Sequence, residues 1–194
     1  MKDHEKIPMI PIKSGKGVWL YDYDGVKYLD AISSWWVNLF GHSNAYINKS
    51  IKNQLSQLEH VLLAGFTHEP AINLSDRLIK LTPSRITKCF FTDNGSSSID
   101  AAMKMSYHYW QNKKKKSKVK FIALSNSYHG ETLGSLSVSN IDLYKKTYEN
   151  ILKETIIVDS PDSYNKSENI SEEKHAEIML SLIHISEPTR PFHI

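Results

Sequence analysis

An α/β protein with a largely parallel sheet is what this sequence predicts. Three observations carry the prediction. Short apolar, β-branched runs occur at Thr87–Thr92, Val119–Leu124 and Thr155–Val158. Segments with helical spacing lie before and between them, and polar, glycine-containing loops follow the first two runs. At 194 residues the chain can hold one domain with a real core, or part of a larger one.

Taken in chain order, Gly17–Asp30 contains two aromatic and β-branched runs around Asp24-Gly25, the pattern of a β-hairpin. Next comes Ser33-Ser34-Trp35-Trp36, which places two of the four tryptophans side by side. On a strand, adjacent side chains face opposite ways, so alternation puts Trp35 and Trp36 on different faces. Ser43 is a candidate N-cap for a helix whose apolar stripe is Ile47, Ile51, Leu55 and Leu58. Pro70 suits the first turn of a second helix that carries Ile72, Leu78 and Ile79 towards Pro83.

The nearly continuous apolar run Thr87–Thr92 predicts a strand covered on both faces. A third helix should follow, because Ile99, Ala102, Met103, Ser106, Tyr107 and Trp110 keep helical spacing. Val119–Leu124 and Thr155–Val158 supply two more strands, and Gly130 to Val138 is a loop leading into a helix between them. Ser160 to Lys174, rich in Ser, Asp, Asn and Glu, is an exposed connection, and a helix is plausible over Glu172–Met179.

Composition narrows the partners. Lys plus Arg is 24 and Asp plus Glu is 21, and a net charge of +3 is too small to argue for nucleic acid or an anionic membrane. The lysines at 113–116, with Lys118 and Lys120, follow the third helix, where cations complement the dipole and solvate a loop; no aromatic residue interrupts the run as a stacking platform would. No stretch reaches the roughly 18 consecutive apolar residues of a membrane span, and the start MKDHEKIP has no signal-peptide core. The expectation is a cytoplasmic protein with a small-molecule partner and no membrane. The single cysteine, Cys89, excludes an internal disulfide and sits in an apolar run as a packed thiol.

Two loops could carry chemistry. In Asp93-Asn94-Gly95-Ser96-Ser97-Ser98, Gly95 lets the backbone approach a ligand, and the serines put hydroxyls and free N–H groups at a helix start, which is an anion site suited to phosphate. The same residue types also make ordinary caps and turns. Asn126–Thr132 is the second loop, again just past a strand, where ligands gather in open α/β sheets. There Tyr128 offers a flat ring face and His129 a donor or acceptor, with loop packing as the alternative for each. His42, His60, His68 and His108 are too scattered for a metal spacing, so no metal is expected. The absence of GxGxxG, of a P-loop and of a GxSxG elbow argues against dinucleotide, P-loop and serine-hydrolase chemistry.

Taken in order, Ser33–Trp36, Gly65–Ala71, Asp93–Ser96, Ala101–Met105 and Tyr128–Gly130 resemble the class III, fold-type I aminotransferases that depend on pyridoxal 5′-phosphate. The resemblance runs from about Ile10 to Val158 and weakly to Met179. The double tryptophan after two serines is its specific part, and points to the branch acting on 8-amino-7-oxononanoate. It implies transamination to 7,8-diaminononanoate with S-adenosylmethionine as amino donor, in biotin synthesis. It also implies Gly95, Ser96 and Tyr128 as cofactor-binding residues, Trp35 and Tyr128 as substrate-binding residues with Trp36 packed inside, and a homodimer. His129 and Glu131 would lie one layer further out.

The resemblance places the cofactor's lysine and the substrate-carboxylate arginine beyond this chain, so no catalytic residue is assigned here. Lys104 is no substitute, because it belongs to the helix after the phosphate loop. The expectation is therefore an incomplete fold-type I copy, inactive by itself. Residues 1–32 would be an N-terminal segment of the small domain and 33–179 the first part of the cofactor-binding domain. Residues 180–194 resemble translated sequencing-adapter sequence and form a non-native tail. Two alternatives stay open: another class III ω-aminotransferase, and a non-catalytic phosphate-ligand or nucleic-acid-binding module.

Overall fold

A computed structural model describes residues 5–185, in two compact units that divide between Lys88 and Cys89. No described helix is long and apolar enough to cross a membrane.

The first unit opens with three antiparallel strands, β1 (Ile12–Lys16), β2 (Trp19–Asp22) and β3 (Lys27–Leu29), in the order β1-β2-β3. The predicted hairpin is β2–β3, with Tyr21 opposite Lys27 and Gly25 at φ 84°, where glycine is favoured. Asp22 organises the turn. Its carboxylate accepts the N–H groups of Asp24 (3.0 Å) and Val26 (2.8 Å) and the Tyr28 hydroxyl (2.9 Å). Burial works to raise this carboxyl, but those donors outweigh it and hold it below the ordinary carboxylate range. The outer strand β1 was not anticipated, because Ser14, Gly15 and Lys16 carry almost no β signal.

Ser33–Trp36 is not a strand. All four residues have positive φ (49°, 48°, 67° and 66°), so the segment is a single left-handed turn. For L-residues this costs about 1–2 kcal/mol each, or about 4–8 kcal/mol over the turn, relative to the right-handed form. Successive side chains on a helical turn diverge by about 100° rather than 180°. Both indoles therefore stay on the surface, 70% and 74% exposed, and touch edge to face at 5.8 Å between centroids. The expectations of opposite faces and of a packed Trp36 are both overturned.

Helix α1 (Ala45–Leu55) is capped by Asn44, not Ser43: the Asn44 side chain accepts the N–H groups of Tyr46 and Ile47. Ser43 sits one residue too early, at φ 54°, and donates its hydroxyl to the Gly15 carbonyl instead. Leu58 of the predicted stripe lies beyond the helix end. Helix α2 (Glu69–Leu81) starts with Pro70 in its first turn, as predicted, and takes His68 as its cap, whose Nδ1 accepts the Ala71 N–H at 3.4 Å.

In the second unit, Thr87–Thr92 forms no ladder, and Phe90 is 69% exposed. A strand needs hydrogen-bonding neighbours as well as apolar side chains, and none pairs with this run among the described residues. Helix α3 (Gly95–Asn112) follows, then β4 (Ile122–Leu124), α4 (Leu133–Ser137), α5 (Asp142–Lys145), a 3₁₀ segment Lys146–Ile151, β5 (Ile156–Val158) and α6 (Glu172–Ile185). β4 and β5 pair in parallel, Ile122 opposite Ile156 and Leu124 opposite Val158, as the βαβ pattern requires. The buried core comprises Ala123, Leu136, Val138 and Val158, together with Ser135, Ser137 and Ser139. Each buried serine hydroxyl donates to a backbone carbonyl of the same segment: Ser135 to Thr132, Ser137 to Gly134 and Ser139 to Ser135. Helix α6 continues past Met179 to Ile185; residues 186–194 of the predicted tail lie outside the described residues.

Candidate active site

The second unit builds a cleft of about 730 Å³, and Asn94, Gly95, Ser96, Ile99 and residues Tyr128–Thr132 line it. Both loops singled out in the sequence thus meet in one place. One wall is the start of α3. The Asn94 side chain accepts the Ser97 N–H at 2.8 Å, and the Asn94 carbonyl accepts the Ser98 N–H at 3.0 Å. The N–H groups of Gly95 and Ser96 are left without a protein partner among the described residues, at the positive end of an 18-residue helix. A side-chain carbon built on Gly95 would meet nothing within 4 Å, so a ligand can reach the backbone there.

The Ser96 hydroxyl ties the second loop to this helix. Its oxygen accepts the N–H groups of Glu131 and Thr132, both at 3.1 Å, and it bonds the hydroxyls of Thr132 (3.0 Å) and Ser135 (2.7 Å). Thr132 in turn donates to an Asp100 carboxylate oxygen at 2.5 Å, one turn further along α3. Such an approach needs glycine. A Cβ on Gly130 (φ 115°) would come within 2.7 Å of Ser96 Cβ and 3.0 Å of its Cα, and one on Gly134 would run into the Asp100 carboxylate.

A second strap holds the loop from behind. Ser139 Oγ accepts the His129 N–H at 2.9 Å, and the Asn140 N–H donates to the Ser127 carbonyl at 2.8 Å. Tyr128 keeps its ring half out in the cleft, tilted against Tyr144 with 5.3 Å between centroids. Its hydroxyl donates to Glu131 Oε1 at 3.0 Å. That bond to a carboxylate raises the phenol above its ordinary value, with burial adding to it.

The sequence-derived residues Gly95, Ser96 and Tyr128 are therefore brought together, with His129 and Glu131 beside them. Trp35 belongs to the first unit, on the left-handed turn. Lys104 lies away from the cleft, lining a separate hollow with Phe90, Ala101, Met105, Tyr107 and His108. Asp100, Gly134 and Ser135 were missed, and Thr132 stood only as the end of the second loop. Their signal was present as a glycine four residues after Gly130, with hydroxyl residues at helical spacing between and beside them, but nothing in the sequence alone says which helix such a loop closes on.

The cysteine and the lysine run take bland positions. Cys89 is half-buried. Lys113 caps the end of α3 and lies over the Tyr109 ring at 5.7 Å, as Lys118 lies over Trp110 at 5.3 Å.

Comparison with known proteins bears directly on this geometry. The aminotransferase class-III family model matches residues 1–189. The chain is 52% identical over 171 residues to the adenosylmethionine-8-amino-7-oxononanoate aminotransferase of Helicobacter pylori, covering 87% of this chain and 38% of that protein. It is 41% identical to the Staphylococcus aureus protein of the same name, covering 92% and 40%. Among solved structures, the corresponding Methanocaldococcus jannaschii enzyme superposes with a TM-score of 0.77 at 36% identity, over 83% of this chain and 37% of that one. An omega transaminase from Pseudomonas jessenii, crystallised with PMP, gives 0.82 at 29% identity over 96% and 42%. The chain thus spans about two fifths of the length of these relatives and corresponds to part of a fold-type I domain. With the phosphate-type helix start and the Tyr-His-Gly loop in one cleft, and the family pattern running through nearly the whole sequence, this chain belongs to the class III aminotransferases.

Proposed function

We propose that this chain supplies the cofactor-phosphate and acceptor-side portion of an aminotransferase that converts 8-amino-7-oxononanoate to 7,8-diaminononanoate with S-adenosylmethionine as amino donor. The observation that carries the reading is the cleft where the open N–H groups of Gly95 and Ser96 face the Tyr128–Thr132 loop. The residues present fit pyridoxal 5′-phosphate. Two unpartnered N–H groups at a long helix's positive end suit a phosphate, and the cleft leaves room for a ring beside Tyr128. When bound, pyridoxal phosphate supplies the electron sink for transamination.

The chain's own residues do the rest of what is assigned here. Gly95 and Ser96 hold the phosphate through backbone N–H groups, since the Ser96 hydroxyl is committed to Glu131, Thr132 and Ser135. Tyr128 presents its ring face to the cofactor and borders the substrate, and Glu131 keeps the proton on the Tyr128 oxygen to higher pH. Trp35 offers an exposed apolar surface to the acceptor's aliphatic chain. The division into residues 1–32 of a small domain, 33–179 of the cofactor-binding domain and a non-native 180–194 belongs to the same proposal, as do a homodimer and a cytoplasmic location.

The test is a chimera in which residues 1–179 of this chain replace the matching region of the Helicobacter pylori enzyme. Formation of 7,8-diaminononanoate, abolished by replacing Gly95 with proline, is the expected result. A soluble, cofactor-loaded chimera without that activity would sink the acceptor assignment. The likeness to an omega transaminase keeps ω-amine chemistry as the second reading, and assaying the same chimera with ω-amine donors and a keto-acid acceptor discriminates the two.

A further inference from the structure

The left-handed turn at Ser33–Trp36 sets a physical problem. Four consecutive non-glycine residues hold a backbone that L-amino acids avoid, and the two large side chains it carries gain little burial in return. Something beneath the turn must offset the strain.

That something is the carboxylate of Asp30. One oxygen accepts the Ser34 N–H at 2.9 Å, and the other accepts the Ser34 hydroxyl at 2.7 Å. The second oxygen also meets His42 Nε2 at 2.7 Å. Both partners are well covered, with side-chain exposures of 6% for Asp30 and 14% for His42. Each is also fixed to the turn between β1 and β2. The Asp30 N–H donates to the Val18 carbonyl at 2.9 Å, and His42 exchanges two backbone hydrogen bonds with Gly17 at 2.8 and 3.0 Å. Gly15 on β1 leaves the space that the His42 ring occupies: a Cβ there would lie 2.8 Å from His42 Cβ and Cγ. The bonds from Ser34 draw the carboxyl well below its ordinary value.

We propose that Asp30 and His42 are positioning residues for acceptor recognition: anchored on the turn between β1 and β2, they hold Ser34 in the left-handed turn and so fix the Trp35–Trp36 pair as one rigid apolar surface. The proposal rests on the reading that Trp35 meets the substrate. His42 orients the carboxylate from one side, Ser34 takes up both of its oxygens from the other, and the indoles inherit the geometry.

The test uses the 194-residue chain first. Two indoles in edge-to-face contact give an exciton couplet in far-ultraviolet circular dichroism, isolated as the wild-type spectrum minus that of W36F. D30A should lose the couplet while the helical signal stays. The double variant D30A/S34G should regain it, because glycine adopts the left-handed backbone without the penalty. A purely general stabilising role for Asp30 would not be rescued by one glycine at residue 34. A wild-type chain without a couplet, a D30A couplet of undiminished size, or failure of the glycine rescue each overturns the proposal.

The same variants in the Helicobacter pylori chimera separate the proposal from the reading beneath it. D30A and W35A should both raise KM for 8-amino-7-oxononanoate with smaller effects on kcat, and D30A/S34G should bring KM back. If W35A raises KM and D30A does not, the positioning role fails while Trp35 keeps its place. If neither moves KM, the Trp35 assignment fails and acceptor recognition with it, even where the couplet behaves as described.

Discussion

Gly130 is the residue on which the candidate site closes, and replacing it with alanine gives a prediction with two separable parts. The backbone stands at φ 115°, a region that costs a non-glycine residue about 1–3 kcal/mol. The added methyl would also lie 2.7 Å from Ser96 Cβ and 3.0 Å from its Cα, and these are not the movable end of a long side chain. Overpacking of that kind costs about 1–3 kcal/mol more. G130A should therefore destabilise the second unit by about 2–6 kcal/mol. Urea unfolding followed by Trp110 fluorescence in a W19F/W35F/W36F background reads it, since those three tryptophans belong to the first unit and Trp110 to the second. Amide exchange at Glu131 and Thr132 should accelerate in parallel, because both N–H groups donate to Ser96 Oγ. The S96G background separates the parts. Without the Ser96 side chain most of the packing term falls away, while the contact with Cα and the backbone term remain, giving a coupling of up to about 3 kcal/mol between the two sites. A G130A penalty under about 0.5 kcal/mol, the scatter of an ordinary surface change, or strict additivity with S96G, would refute the closure described above.

Three further outcomes follow from particular bonds. N94A removes the cap of α3 and should cost about 1 kcal/mol in the same urea assay, with N94D nearly neutral. Asp30 is held at about 2 against an ordinary 3.8, first by the Ser34 hydroxyl, then by the Ser34 N–H and by His42. Its folded value is depressed, so its contribution is fully present above pH 3.8 and is lost as pH falls towards 2; the indole couplet should fade across that window. A couplet of undiminished size well below pH 2 would contradict the assignment. Finally, spectrophotometric titration should place Tyr128 above the ordinary tyrosine value, and E131A should bring it back down, since the Glu131 carboxylate is the leading cause of the shift.

What the residues disclosed in advance, and what they withheld, divides along a physical line. Patterns that depend only on neighbouring positions were legible. Asp24-Gly25 marked its hairpin, Pro70 its helix start, and the spacing from Ile99 to Trp110 its helix. The Gly95 and Tyr128 loops could be paired on the rule that strand ends converge in open α/β sheets; they do share a cleft, although only the Tyr128 loop follows a strand, β4. Legibility ended where a segment's state depends on a distant partner. Thr87–Thr92 has every apolar mark of a strand, yet without a ladder among the described residues it is irregular chain. Ser43 looks like a better cap than it is because a single residue of register, fixed by its bond to Gly15, hands the role to Asn44. The tryptophan pair is the sharpest case. Alternation is a rule about strands, and nothing local to Ser-Ser-Trp-Trp announces a left-handed turn, which L-residues adopt at a cost. The reason lies four residues before Ser34 and eight after it, in Asp30 and His42, two polar residues that meet only once the sheet has formed. A side-chain pair that composition marks as unusual is thus placed by residues that composition does not mark at all. In this family member, the determinants of the presented surface are to be sought in the buried carboxylate beneath the turn as much as in the indoles above it.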